Sequence, residues 1–75
     1  MIKTILIVDD EKNTREGLRD SLGDDYEVYV AADIAGAKAV MQTDRIDLLL
    51  SDLRLGAENG MDLLEWTLRQ PHAPV

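Results

Sequence analysis

The chain has 75 residues, 45% of them hydrophobic and 31% charged, with 15 acidic against 8 basic side chains and a net charge of −7. That length admits one domain, and the acidic balance excludes a surface built for nucleic acid or an anionic membrane while favouring cations or basic partners. The absence of cysteine excludes disulfides and thiolate metal sites; no apolar run approaches the roughly 20 residues of a membrane span, and Met1-Ile2-Lys3-Thr4 lacks the apolar stretch and cleavage site of a signal peptide, so a cytoplasmic protein is expected.

Thr4 to Val8 is a β-branched run without polar alternation, the pattern of a strand buried on both faces. Asp9 to Asn13 is a polar turn. Thr14 to Leu22 reads as a helix with Leu18 and Leu22 on one face, and Gly17 weakens it by about 1 kcal/mol relative to Ala. Gly23-Asp24-Asp25 is a stop and a turn. Tyr26 to Ala31 reads as a second strand, with Tyr26, Val28 and Val30 on one face and Glu27, Tyr29 and Ala31 on the other, as suits a partly wet edge.

Asp33 is placed to cap a helix over Ile34 to Thr43, whose small Ala35, Ala37 and Ala39 would let the backbone approach a sheet. Asp44-Arg45 breaks it. Ile46 to Ser51 reads as a third strand and Asp52 to Asn59 as a long polar loop. A third helix follows over Gly60 to Gln70, with an apolar stripe of Leu63, Leu64 and Leu68, and Pro71-His72-Ala73-Pro74 ends it. The order β-α-β-α-β-α implies right-handed crossovers and a parallel sheet, an α/β fold of three layers.

Two of the apolar runs end in acid. Ile5-Leu6-Ile7-Val8 leads into Asp9-Asp10, and Leu48-Leu49-Leu50 leads through Ser51 into Asp52. In open parallel sheets ligands bind at the carboxyl ends of the strands. Neighbouring placement of the two strands would converge these carboxylates on one crevice. Each taken alone is an ordinary turn or capping residue. Together they repel, at about 4 kcal/mol for two charges about 4 Å apart and an effective dielectric near 20, unless a cation offsets them. A hard cation such as Mg2+ takes one or two carboxylates, a carbonyl and waters, and a loop carbonyl such as that of Arg54 is available. Asp-Asp-Glu-Lys-Asn stands where a Gly-rich phosphate loop would follow the first strand, which disfavours nucleotide or flavin phosphate there.

Three segments carry a family resemblance: Ile5-Leu6-Ile7-Val8-Asp9-Asp10-Glu11, Asp47-Leu48-Leu49-Leu50-Ser51-Asp52-Leu53 and Gly60-Met61-Asp62-Leu63-Leu64. Over the whole chain these resemble the receiver domain of two-component response regulators. The resemblance implies the flavodoxin-like (βα)5 fold, of strand order 2-1-3-4-5, here its βαβαβα portion of order 2-1-3. It implies that Asp52 is the phosphoacceptor, receiving a phosphoryl group from a phosphohistidine of a sensor histidine kinase. It further implies a Mg2+ site at which Asp10 is a direct ligand, Asp9 a second one, directly or through water, and Asp52 and the Arg54 carbonyl complete the protein set.

Two departures accompany the resemblance. Gly56 stands where many receivers carry Pro. The Ser or Thr and the Lys that contact the phosphoryl group in the family, after its fourth and fifth strands, have no counterpart up to Val75, and Lys3, Lys12 and Lys38 do not match the Lys. Residues 1–75 are therefore expected to be the first three-fifths of a receiver. Weak Mg2+ binding and no normal phosphorylation switch are expected from them alone. The third strand's edge, with Leu48, Leu49 and Leu50, would then favour a homodimer, an element-exchanged oligomer or a partly molten chain.

The chain is not expected to be an enzyme. A Mg2+-dependent phosphatase with an Asp nucleophile would carry a second Asp two residues after Asp52, where Arg54 stands. The alternative is a structural fragment or building block of the receiver fold with no activity. His72 is expected to be exposed, Trp66 to serve surface packing, and Glu11 with Lys12 to form a solvated turn. Arg15 and Arg19 are expected to form a solvated face of the first helix, which in the family often lies near the kinase. Ser51-Asp52-Leu53-Arg54 resembles the receivers of transcriptional activators.

Overall fold

The computed structural model describes residues 3–52, 54, 55, 58–71, 73 and 74. The expectations for Gly56, His72 and Val75 lie outside these residues. Strand β1 (Thr4–Val8) is the centre of a parallel sheet of order β2-β1-β3, flanked by β2 (Glu27–Ala31) and β3 (Leu48–Ser51). The register pairs Val8 with Ala31 on one side and with Ser51 on the other. A strand in that position needs apolar side chains on both faces, and Ile5, Leu6, Ile7 and Val8 are all buried. Fully burying a side chain of this kind contributes about 1.5–3 kcal/mol.

Helix α1 (Lys12–Leu22) covers one face of the sheet. Helices α2 (Ile34–Thr43) and α3 (Gly60–Leu68) pack together on the other, where Leu6, Val8, Ala31, Ile34, Ala37, Ile46 and Leu63 form the core. This is the three-layer α/β architecture expected from the order of elements.

Several local expectations change. The second strand begins at Glu27, because Tyr26 still closes the preceding turn through its N–H to the Leu22 carbonyl, 3.0 Å. The third strand begins at Leu48: Asp47 still donates its N–H to the Thr4 carbonyl at 3.0 Å, but its side-chain carboxylate accepts from the backbone N–H of Lys3 (3.2 Å) and Thr4 (3.0 Å). These two bonds favour the ionised carboxylate and hold Asp47 below the usual carboxylate range. Only Ala37 of the three alanines is buried. Residues two apart on a helix point to different sides, so Ala35 and Ala39 are exposed.

The third helix ends at Leu68. Its buried stripe is Gly60, Leu63 and Thr67, while Leu68 is 75% exposed. Thr67 is tolerated there because its hydroxyl donates to the Leu63 carbonyl at 2.8 Å. Trp66 packs against the core with Lys38 Nζ 5.3 Å from its ring centre, joining α2 to α3.

Helix α1 starts two residues earlier than expected, since Glu11 caps it by accepting from Asn13 N–H at 3.0 Å. No residue of α1 is buried, and Leu18 is 37% exposed. On β3, Leu48 and Leu49 are half-buried while Leu50 is exposed. The expected loop after Asp52 contains a small antiparallel ladder of β4 (Arg54–Leu55) and β5 (Glu58–Asn59), with Arg54 opposite Asn59.

Candidate metal centre at the carboxyl end of the sheet

Backbone pairing brings the acids together. The Asp9 N–H donates to the Ala31 carbonyl at 3.1 Å, and the Asp52 N–H donates to the Val8 carbonyl at 2.9 Å. Each acid is therefore the first residue past a strand whose direction the sheet sets. Asp9 is half-buried, Asp10 and Asp52 are exposed, and one carboxylate oxygen from each lies within 4.8 Å of the others. A shallow depression beside them is lined by Ile7, Val8, Leu18, Leu50 and Ser51.

The donor set suits Mg2+. An octahedral ion with oxygen ligands at about 2.1 Å places neighbouring oxygens about 3.0 Å apart and opposite ones about 4.2 Å apart. Oxygens within 4.8 Å of one another need only small side-chain movements to reach those separations. All-oxygen donors without histidine or thiol select a hard cation.

The turn that carries Asp9 and Asp10 is tightly held. Asp9 Oδ1 accepts from the Glu11 N–H at 2.9 Å, an Asx turn that leads directly into the Glu11 cap of α1. Arg15 Nη1 donates to the Asp9 carbonyl at 2.9 Å. Arg54, expected to lend its carbonyl, begins β4 two residues after Asp52 and pairs with Asn59. Asn59 in turn caps α3 by accepting from Met61 N–H at 3.0 Å.

Three residues near the site take parts that the sequence does not announce. Glu11 is exposed, as expected, and in addition caps α1. Arg15 reaches back to the site, and its half-buried position sets it apart from the exposed Arg19. Glu58 accepts from the Ile34 N–H at 3.2 Å, across 24 positions of sequence. The acid just before α1 was a readable signal for Glu11, but nothing local marks Glu58. The opposite end of the sheet carries an open cleft lined by Thr43, Asp44, Arg45, Gln70, Pro71 and Pro74 among others, remote from the acid cluster.

A family model described as "Response regulator receiver domain" matches residues 5–75. The alginate biosynthesis transcriptional regulatory protein AlgB of Pseudomonas aeruginosa is 43% identical over 61 residues, which is 80% of this chain and 14% of that protein. The sensor histidine kinase TmoS of Ectopseudomonas mendocina is 42% identical over 75 residues, covering 95% of this chain and 8% of that protein. A solved chemotaxis response regulator of Vibrio cholerae superposes with a TM-score of 0.89 at 30% identity, over 96% of this chain and 61% of that one. The chain thus spans a small part of these curated relatives and about three-fifths of that solved receiver. Among the described residues, no helix is long and apolar enough to cross a membrane.

Proposed function

The chain belongs to the response regulator receiver domain family, and from that premise we propose that Asp52 accepts a phosphoryl group from a phosphohistidine of a sensor histidine kinase, at a Mg2+ site formed by Asp9, Asp10, Asp52 and the Arg54 carbonyl. The observation that carries this reading is the convergence of the three carboxylates within 4.8 Å, at the carboxyl ends of two adjacent strands.

An Asp52 carboxylate oxygen forms the new bond to phosphorus as the bond to the imidazole nitrogen breaks, and the departing imidazole keeps the electron pair. A carboxylate is a weak nucleophile and would repel the incoming phosphoryl oxygens. Bound Mg2+ supplies charge neutralisation and a template for in-line transfer. Asp9 and Asp10 hold charge at the site. The Asx turn and the Arg15 bond keep their backbone in place. Asp52 is exposed, as acceptance from a second protein requires.

The chain acts as a stoichiometric acceptor in this reading and not as an enzyme. Phosphorylation would add about −1.5 to −2 charge at Asp52 and bias a two-state domain. The names of relatives such as AlgB support an output in transcription, and a cytoplasmic location suits a kinase substrate.

Incubation with acetyl phosphate or a histidine kinase and Mg2+ tests the assignment. Label on the wild-type chain that disappears in Asp52→Asn is the expected result, and label that survives the substitution rejects it.

The second reading, self-association of this receiver-fold chain without activity, is favoured by one observation. Exposed Leu18 and Leu50 flank the same depression beside β3, an edge strand among the described residues. A homodimer or element-exchanged oligomer would cover them.

A further inference from the structure

Three groups of residues follow the strands of the sheet: Asp9 to Glu11 after β1, Ala32 and Asp33 after β2, and Asp52 with the β4–β5 ladder after β3. Backbone bonds join the first loop to the other two strands, through Asp9 N–H to the Ala31 carbonyl and Asp52 N–H to the Val8 carbonyl. One further bond spans the remaining gap. Glu58 Oε1 accepts from the N–H of Ile34, the first residue of α2, at 3.2 Å.

From this ring of bonds we infer that Glu58 is a positioning residue for the acidic site, an inference that rests on the metal-binding reading above. Glu58 and Asn59 are adjacent and each accepts from a different helix. Glu58 ties β5 to the start of α2, and Asn59 ties it to the start of α3. Their ladder partners are Leu55 and Arg54. The segment that carries Arg54 is thereby fastened at two points to helices that are themselves anchored in the core by Ile34 and Leu63. Ile34 N–H is one of the amino-terminal donors that no helical carbonyl can satisfy, and a carboxylate is the favoured partner at that end.

Asp33, the adjacent cap, already accepts from Gly36 N–H at 2.7 Å, so it does not serve Ile34 in the same way. The Ile34 N–H takes its acceptor from water or from another part of the chain, and here Glu58 supplies it. Loss of that bond removes one of the two helix ties that Glu58 and Asn59 make. The Arg54 backbone then samples more positions, and the Mg2+ ligand set loses preorganisation.

The test compares wild type, Glu58→Ala and Glu58→Gln. Mg2+ affinity is measured by calorimetric titration and Ile34 amide exchange by NMR without metal. Glu58→Ala is expected to speed Ile34 exchange and weaken Mg2+ binding by about three- to tenfold, at or below the lower end for residues that orient metal ligands, because Glu58 is exposed. Glu58→Gln keeps an acceptor oxygen and is expected to restore most of both. Glu58→Ala binding Mg2+ as wild type does would overturn the positioning role while leaving the metal site standing. Glu58→Gln behaving like Glu58→Ala would overturn it in favour of a charge effect. A wild-type chain that binds no Mg2+ would defeat the metal reading itself, and the positioning role with it.

Discussion

Arg15 and Asp9 are joined by a 2.9 Å hydrogen bond from the guanidinium Nη1 to the Asp9 main-chain carbonyl, so the first helix is fastened to the loop that carries the acid pair. The bond is partly buried and spans six residues, one turn beyond the Glu11 cap. Arg15→Ala is expected to cost about 1–2 kcal/mol of stability, as for a charged donor on a neutral acceptor. Arg15→Lys should recover part of it. Arg19→Ala, which removes an exposed side chain of the same helix, should cost less than about 0.5 kcal/mol. Urea melts of the three variants decide the matter.

The acid cluster predicts a divalent-ion response of defined stoichiometry. Wild type should gain thermal stability on adding millimolar Mg2+, by mass action on the folded state. Asp10→Asn and Asp9→Asn should each diminish that gain, and the double variant should abolish it. A thermal shift unchanged in the double variant would separate Mg2+ binding from these residues.

Asp47 predicts an acid limb in the stability profile. Its carboxylate accepts from the Lys3 and Thr4 amides, which lowers its pKa in the folded chain below the ordinary value. The sign follows from linkage. The stabilisation is fully present above the unfolded value of about 3.9 and is lost as pH falls through the lower folded value. Asp47→Asn should therefore flatten the stability change below about pH 4 and leave the slope between pH 6 and 8 untouched. Denaturant melts at a series of pH values provide the comparison.

Gly17 offers a stabilising substitution. It lies inside α1 and a Cβ built on it meets nothing within 4 Å. Gly17→Ala should raise stability by about 1 kcal/mol through helix propensity alone. Gly36 is the contrasting case, because a Cβ there would approach Asp33 Oδ1 at 3.1 Å and press on the cap of α2. Gly36→Ala should gain less than Gly17→Ala in the same melts.

Leu50 tests association. It is 37% exposed on the edge strand, beside Leu18. Leu50→Lys places a charge on that face and should shift sedimentation toward monomer without unfolding the chain. A wild-type chain that sediments as a compact, cooperatively melting monomer would remove the basis for this prediction.

Much of the sheet was legible in the sequence because β1 is buried on both faces. A run such as Ile5-Leu6-Ile7-Val8 has no polar alternation to confuse its reading, and its bounds were expected correctly. The cap of α2 by Asp33 was legible for a local reason, since it contacts a neighbour three residues on. Errors arose where a residue's partner is distant or its helical phase ambiguous. Asp47 falls outside the strand because its side-chain carboxylate accepts from N–H groups 43 and 44 positions away. In α3 the leucines suggested a stripe through Leu68, while packing chose Gly60, Leu63 and Thr67.

The candidate site divides the same way. The types of its acids, and their place one or two residues beyond apolar runs, were determined by the sequence, because strand ends are marked where hydrophobicity stops. That the two runs are adjacent strands, with three carboxylates within 4.8 Å, follows only from the pairing of β1 with β3. So does the support around the acids: Arg15 on the Asp9 carbonyl and Glu58 on the start of α2. Burial and periodicity are local properties of a chain and leave a trace in residue order. A hydrogen bond across 24 residues leaves none, because it depends on how two separately formed elements come to rest against the same core.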